Sequence, residues 1–90
     1  MAQYMVIEHF RDGNAVPVYA RFRAQGRLAP EGLEYVSSWV TPDFTTCYQV
    51  MACADRALLD QWIANWSDLV RFDVHPVITS AEASARVPTA

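Results

Sequence analysis

Leu33 to Cys53 reads LEYVSSWVTPDFTTCYQVMAC. Two runs rich in β-branched and aromatic residues, Leu33–Val40 and Thr45–Cys53, have the composition of strands. Thr41-Pro42-Asp43 ends the first run, so the two close a hairpin. A hairpin is not stable alone and needs an apolar face covered. The segments on either side supply the cover.

Downstream, Asp55 to Trp66 is the most periodic stretch of the chain. Leu58, Leu59, Trp62, Ile63 and Trp66 recur at the spacing of one helix face. Asp55 is placed to cap it, and Asp60, Gln61 and Asn65 fall on the wet side. Leu69 to Thr79 then reads as a strand whose Pro76 belongs at an edge, because proline cannot donate to a ladder. Upstream, Asn14 to Arg27 reads as a helix. Asn14 sits at its cap, Pro17 in its first turn, and Gly26 at its stop. Ala15, Val18, Tyr19 and Phe22 share its apolar face. Gln3 to Phe10 (QYMVIEHF) reads as the first strand. Ser80 to Ala90 is small-residue rich, a short capped helix followed by a fraying tail.

The order is β-α-β-β-α-β in one domain, residues 1–90. Right-handed crossovers and hairpin pairing predict an α+β fold of the ferredoxin-like kind. It has a four-stranded antiparallel sheet with two helices on one face.

Composition narrows the partners. The chain has 90 residues, 52% of them apolar, with three Trp, four Tyr and four Phe. That is more large apolar surface than a thin two-layer domain needs, so a second copy is expected to cover part of it. The net charge is −3, and the seven basic residues are all Arg and scattered. Phosphate binding needs clustered basic charge, so nucleic acid and acidic membrane surfaces are disfavoured. No apolar run approaches the roughly 18–20 residues of a membrane span, and Met1–Phe10 has no basic leader, so a cytoplasmic location is expected. An RNA-recognition module of the same element order needs basic and glycine residues on its third strand, which TTCYQVMAC lacks.

Alternation sorts each strand into two faces. Val70, Phe72 and Val74 go to the helices, leaving Arg71, Asp73 and His75 open. Val36 and Val40 go in, leaving Tyr35, Ser37 and Trp39. Tyr48, Val50 and Ala52 go in, leaving Cys47, Gln49, Met51 and Cys53. Met5 and Ile7 go in, leaving Tyr4, Val6, Glu8 and Phe10. An open face holding both aromatic and ionisable groups suits a surface that covers a twin and encloses a pocket.

The runs MVIEHF, VPVYARFRAQGR, PEGLEYVSSWV, CYQVM, LLDQWIANWSDL and PVITSAEA, spanning Tyr4 to Ala83, carry a resemblance. They are similar to a small bacterial family described only as a domain of unknown function. More distantly, they resemble the dimeric α/β-barrel superfamily. That resemblance implies two sheets packed face to face as a barrel, with a pocket inside it or between sheet and helices. Its members include cofactor-independent monooxygenases, polyketide cyclases, lactone isomerases and haem-degrading enzymes, which share a scaffold and not a mechanism.

The candidate residues follow from the face assignment. An imidazole, with an ordinary pKa of about 6.5, suits a general base, and His75 is the candidate on this face. Arg71 and Asp73 flank it two residues apart, for anion binding and orientation, or as an intersubunit ion pair. Glu8 on a central strand would be a proton shuttle if buried, or a partner for Arg71 if not. Tyr35, Trp39 and Phe10 suit stacking on a flat ligand, or dimer packing. Gln49 shares their face. Cys47 and Cys53 lie about 20 Å apart along one strand and cannot bridge. His9 and His75 are assigned to opposite faces, and no spacing marks a metal site.

The expected protein is thus a homodimer that takes a small flat or carbonyl-bearing molecule. It acts by proton transfer without cofactor or metal, with Glu8 or His75 as base and Tyr35, Trp39, Gln49, Arg71 and Asp73 holding substrate. The competing expectation is a non-catalytic ligand-binding or dimeric structural module.

Overall fold

The computed structural model describes residues 1–90. Its sheet holds β1 (Ala2–Phe10), β2 (Glu34–Val40), β3 (Thr46–Cys53) and β4 (Val70–Val77) in the order β2-β3-β1-β4, all pairs antiparallel. The helices are α1 (Val16–Gln25), α2 (Arg56–Ala64) and α3 (Ser80–Arg86). This is the expected ferredoxin-like α+β order. No helix is long and apolar enough to cross a membrane.

Local chemistry sets the element ends. The Asn14 side chain accepts from the backbone N–H of Val16, and Pro17 sits in the first turn of α1. Asp55 caps α2 by accepting from the N–H of Ala57 at 2.9 Å. Thr79 and Glu82 form a reciprocal capping box at the start of α3. Pro76 lies on β4, an edge strand, where a missing donor is tolerated.

One sheet face packs on α2 and part of α1. The core holds Val6, Phe10, Met51, Cys53, Leu59, Trp62, Trp66 and Val70. Trp62 meets Phe72 edge-on at 5.8 Å, and Phe10 meets Tyr19 at 6.4 Å. The other face has no element over it.

The faces of β1 and β3 are the reverse of those argued from alternation. Residues directly opposite each other share a face. Val6 pairs with Val74 and Phe10 with Val70, so Tyr4, Val6, Glu8 and Phe10 face the helices. Their β3 neighbours Cys47, Gln49, Met51 and Cys53 do the same. Met5, Ile7 and His9 lie open with Tyr48 and Val50. His9 and His75 therefore share the open face. β2 carries a bulge between Tyr35 and Ser37. The extra residue reverses the alternation, so Tyr35 lies opposite Met51 on the helix side and Val36 is exposed. The assignments of Val40, Ser37, Trp39 and all of β4 stand.

Candidate functional site

Between α1 and the sheet lies a cavity of about 160 Å³. Glu8 reaches it from the central strand β1, and Cys47, its direct cross-strand partner on β3, lies beside it. Gln49 follows on β3. Tyr19 and Phe22 come from α1, Ser38 and Val40 from β2, and Trp62 and Trp66 from α2 and the turn after it.

The remaining wall is Arg27, which local backbone geometry delivers. Gly26 ends α1 with φ of 75°, and Leu28 follows with φ of 60°. This left-handed pair folds the chain back over the sheet. Both indole N–H groups, of Trp62 at 3.1 Å and of Trp66 at 2.8 Å, donate to the Arg27 carbonyl. Asn65 donates to the next carbonyl, that of Leu28, at 3.0 Å. The side chain then turns toward the sheet, where its Nη1 donates to Gln49 Oε1 at 2.7 Å. The guanidinium lies over the Tyr35 ring at 3.8 Å and over Phe22 at 5.3 Å. Tyr35 in turn is held by a 2.7 Å hydrogen bond to Ser38. A cation fixed by an amide and two rings keeps donors free for a ligand.

Glu8 is only 7% exposed. Burial pushes its carboxyl up to about 7, while the Cys47 thiol and the Arg27 guanidinium work to keep it ionised. Cys47 goes up to about 12, through burial first and the Glu8 charge second. It is a thiol at neutral pH, not a nucleophile. Tyr19 is also raised, by burial and by the charges of Cys47 and Glu8. It stays a neutral phenol. The cavity thus offers a carboxyl that changes state near neutrality, a fixed cation and flat apolar walls. Groups of this kind can move a proton beside a stabilised oxygen anion.

Of the residues singled out from sequence, Glu8, Phe10 and Gln49 meet in this cavity, and Tyr35 supports it through Arg27. Trp39, Arg71, Asp73 and His75 do not. They lie on the opposite face of the sheet, so Glu8 and His75 belong to no common site within one chain. The Glu8–Arg71 pairing fails for the same reason, since Glu8 lies opposite Phe72. Asp73 instead bonds His9 Nε2 at 2.9 Å, with Arg71 at 3.4 Å. No group of three or more His, Cys, Asp or Glu side chains converges as a metal site.

Sequence reasoning missed Arg27, Tyr19 and Cys47 as a group. One signal pointed to Arg27. Trp62 and Trp66 share an apolar face, so their two N–H groups need acceptors from a neighbouring loop. The loop after Gly26 is the one that supplies them.

Residues 2–90 match the family described as "Domain of unknown function (DUF3303)". No curated protein and no solved structure matches the chain.

Proposed function

The chain belongs to the family described as Domain of unknown function (DUF3303), and on that premise we propose, from the site itself, an enzyme that moves a proton on a small carbonyl or enol compound. Glu8 as carboxylate takes the proton from the carbon beside a carbonyl. The C–H electron pair becomes a C=C bond, and the carbonyl electrons move onto oxygen. Arg27 stabilises that enolate oxygen. The protonated Glu8 then returns the proton at a second position, completing a tautomerisation or isomerisation. Phe10, Phe22, Trp62 and Trp66 hold the flat intermediate and exclude water.

The observation that carries this reading is Glu8, buried against a cavity with its pKa at about 7. Buried carboxylates tuned toward neutrality cluster at catalytic sites. The cavity bounds the substrate's reacting part, since a cavity of about 150 Å³ accepts a molecule the size of benzene.

The test is deuterium exchange into small ketones and keto acids in D2O, followed by proton NMR. For an accepted compound the rate rises with pH through about 7, because the base must be ionised. Glu8→Gln lowers that rate by about 10²–10⁴-fold. Exchange unchanged in Glu8→Gln removes Glu8 from the chemistry. A second reading, binding without turnover, draws on a cavity smaller than the roughly 300 Å³ of common ligand pockets. It gives ligand shifts in the same spectra with no exchange.

A second copy of the chain is proposed to cover the open sheet face. Trp39 is 59% exposed there, beside Tyr48, with Ile7 and Val50 further along and the His9–Asp73–Arg71 cluster at one side. A large apolar patch with an ionic margin fits a self-complementary interface. Native mass spectrometry is expected to give twice the chain mass of 10.2 kDa, and the chain mass alone after Trp39→Glu with Val50→Arg. A monomeric wild type removes the dimer.

A further inference from the structure

Beyond the Glu8 cavity lies a groove of about 410 Å³ between α1 and the β2–β3 hairpin, lined by Ala15, Val16, Tyr19, Arg23, Val40 and Phe44. Tyr19 and Val40 line both spaces, so the groove adjoins the cavity at these two side chains. Its outer rim is apolar and unusually bare. Val16 is 75% exposed on one side and Phe44 64% exposed on the other. A single exposed apolar residue is ordinary, but two facing each other across a groove are not.

Phe44 is also held against its own preference. Its φ is 62°, a left-handed conformation that turns normally give to Gly or Asn and that a bulky residue adopts at a cost. The turn enforces it. Asp43 Oδ1 accepts from Thr41 Oγ1 at 2.6 Å, Thr45 Oγ1 at 2.9 Å and the Thr45 N–H at 3.1 Å. The Phe44 N–H donates to the Thr41 carbonyl at 2.9 Å. A rigid turn thus presents a phenyl ring at the groove mouth.

The geometry points to a two-part substrate: a compact enol or carbonyl head in the Glu8 cavity and an apolar tail of several carbons in the Tyr19–Phe44 groove. This inference rests on the proton-transfer reading for the head, and it adds the class of molecule. The substrate is an alkyl- or aryl-substituted carbonyl compound rather than a small hydrophilic keto acid. The tail leaves water as it binds, while the head exchanges a proton with Glu8.

The probes are phenol, a stable enol of the cavity's size, and its para-ethyl, para-butyl and para-hexyl derivatives, titrated by calorimetry. Each methylene lying in the half-open groove is expected to tighten binding by about two- to fourfold, the upper end being full burial of a methylene. Phe44→Ala brings that increment below about twofold, with the increment as the readout. Glu8→Gln shifts the affinity of every member by one common factor and leaves the increment alone. Phenol binding in a Glu8-dependent way with no gain along the series overturns the tail and spares the head. A length-dependent series that ignores Glu8→Gln overturns the head reading, and the two-part substrate with it. An increment unaffected by Phe44→Ala places the tail elsewhere and overturns the groove.

Discussion

Glu8→Gln stabilises the protein at pH 8 by about 3 kcal/mol and leaves it nearly unchanged at pH 4. The folded carboxyl titrates at about 7, against 4.5 in an open chain. Between those two values the folded state keeps a proton that the unfolded state has lost. Stability therefore falls as pH rises through that window. The contribution is complete below 4.5 and gone above about 7. At about 1.36 kcal/mol per pKa unit the gap integrates to about 3 kcal/mol. Glutamine has the same shape and no charge, so it escapes the cost of ionising inside the cavity.

Asp43, Asp68 and Asp73 are held low by their hydrogen-bond partners and act with the opposite sign, losing stability as pH falls. They are common to both proteins and cancel in the difference. Urea midpoints of wild type and variant at pH 4 and pH 8 give that difference directly. In heat unfolding it corresponds to about 12–24 °C for a domain of this size. Equal stability of the two proteins at pH 8 would mean that Glu8 is hydrated in the folded state, and the proton-transfer proposal would go with it. On the proton-transfer proposal, that gain is the usual trade between activity and stability.

Trp62→Ala costs about 3–5 kcal/mol, the range for a large aromatic removed from a packed core. Trp62 is 2% exposed, meets Phe72 edge-on, and donates to the Arg27 carbonyl. The loss is a large part of the roughly 5–15 kcal/mol that holds a small domain together. Trp62→Phe separates packing from the hydrogen bond. A six-membered ring remains, Trp66 still satisfies the carbonyl, and the cost falls to about 1–2 kcal/mol, the hydrogen bond plus the volume of the lost five-membered ring. Denaturation followed by circular dichroism measures both. A Trp62→Ala variant within about 1 kcal/mol of wild type would place this indole outside the core.

The local signals in the chain carried the fold. Caps at Asn14 and Asp55, the stop at Gly26 and the helical period of Leu58 to Trp66 act within one turn of backbone. They are readable without neighbours. β4 was equally readable, because Val70, Phe72 and Val74 differ so plainly from Arg71, Asp73 and His75. Its edge position followed from Pro76.

The candidate site was only half readable. Alternation puts Glu8, Gln49 and Cys47 on one face, as the structure does, but assigns that face to the wrong side of the sheet. A period of two fixes which residues share a face and not which face is buried. In β1 the two sets, Tyr4, Val6, Glu8 and Phe10 against Met5, Ile7 and His9, are nearly balanced in apolar character. The charge of Glu8 tips a balanced strand toward water, and residues that break the burial rule are the expected marks of a functional site. The bulge at Tyr35–Ser37 added one residue that no local pattern announces.

The sequence by itself determined the element order, the helix ends and the edge strand, because each depends on residues a few positions apart. Tertiary structure alone decided that Glu8 is buried, that Arg27 folds back over it, and that His75 and Arg71 are kept away. Those outcomes depend on strand register and on two indole groups meeting one carbonyl, contacts between residues 35 and 39 positions apart in the chain.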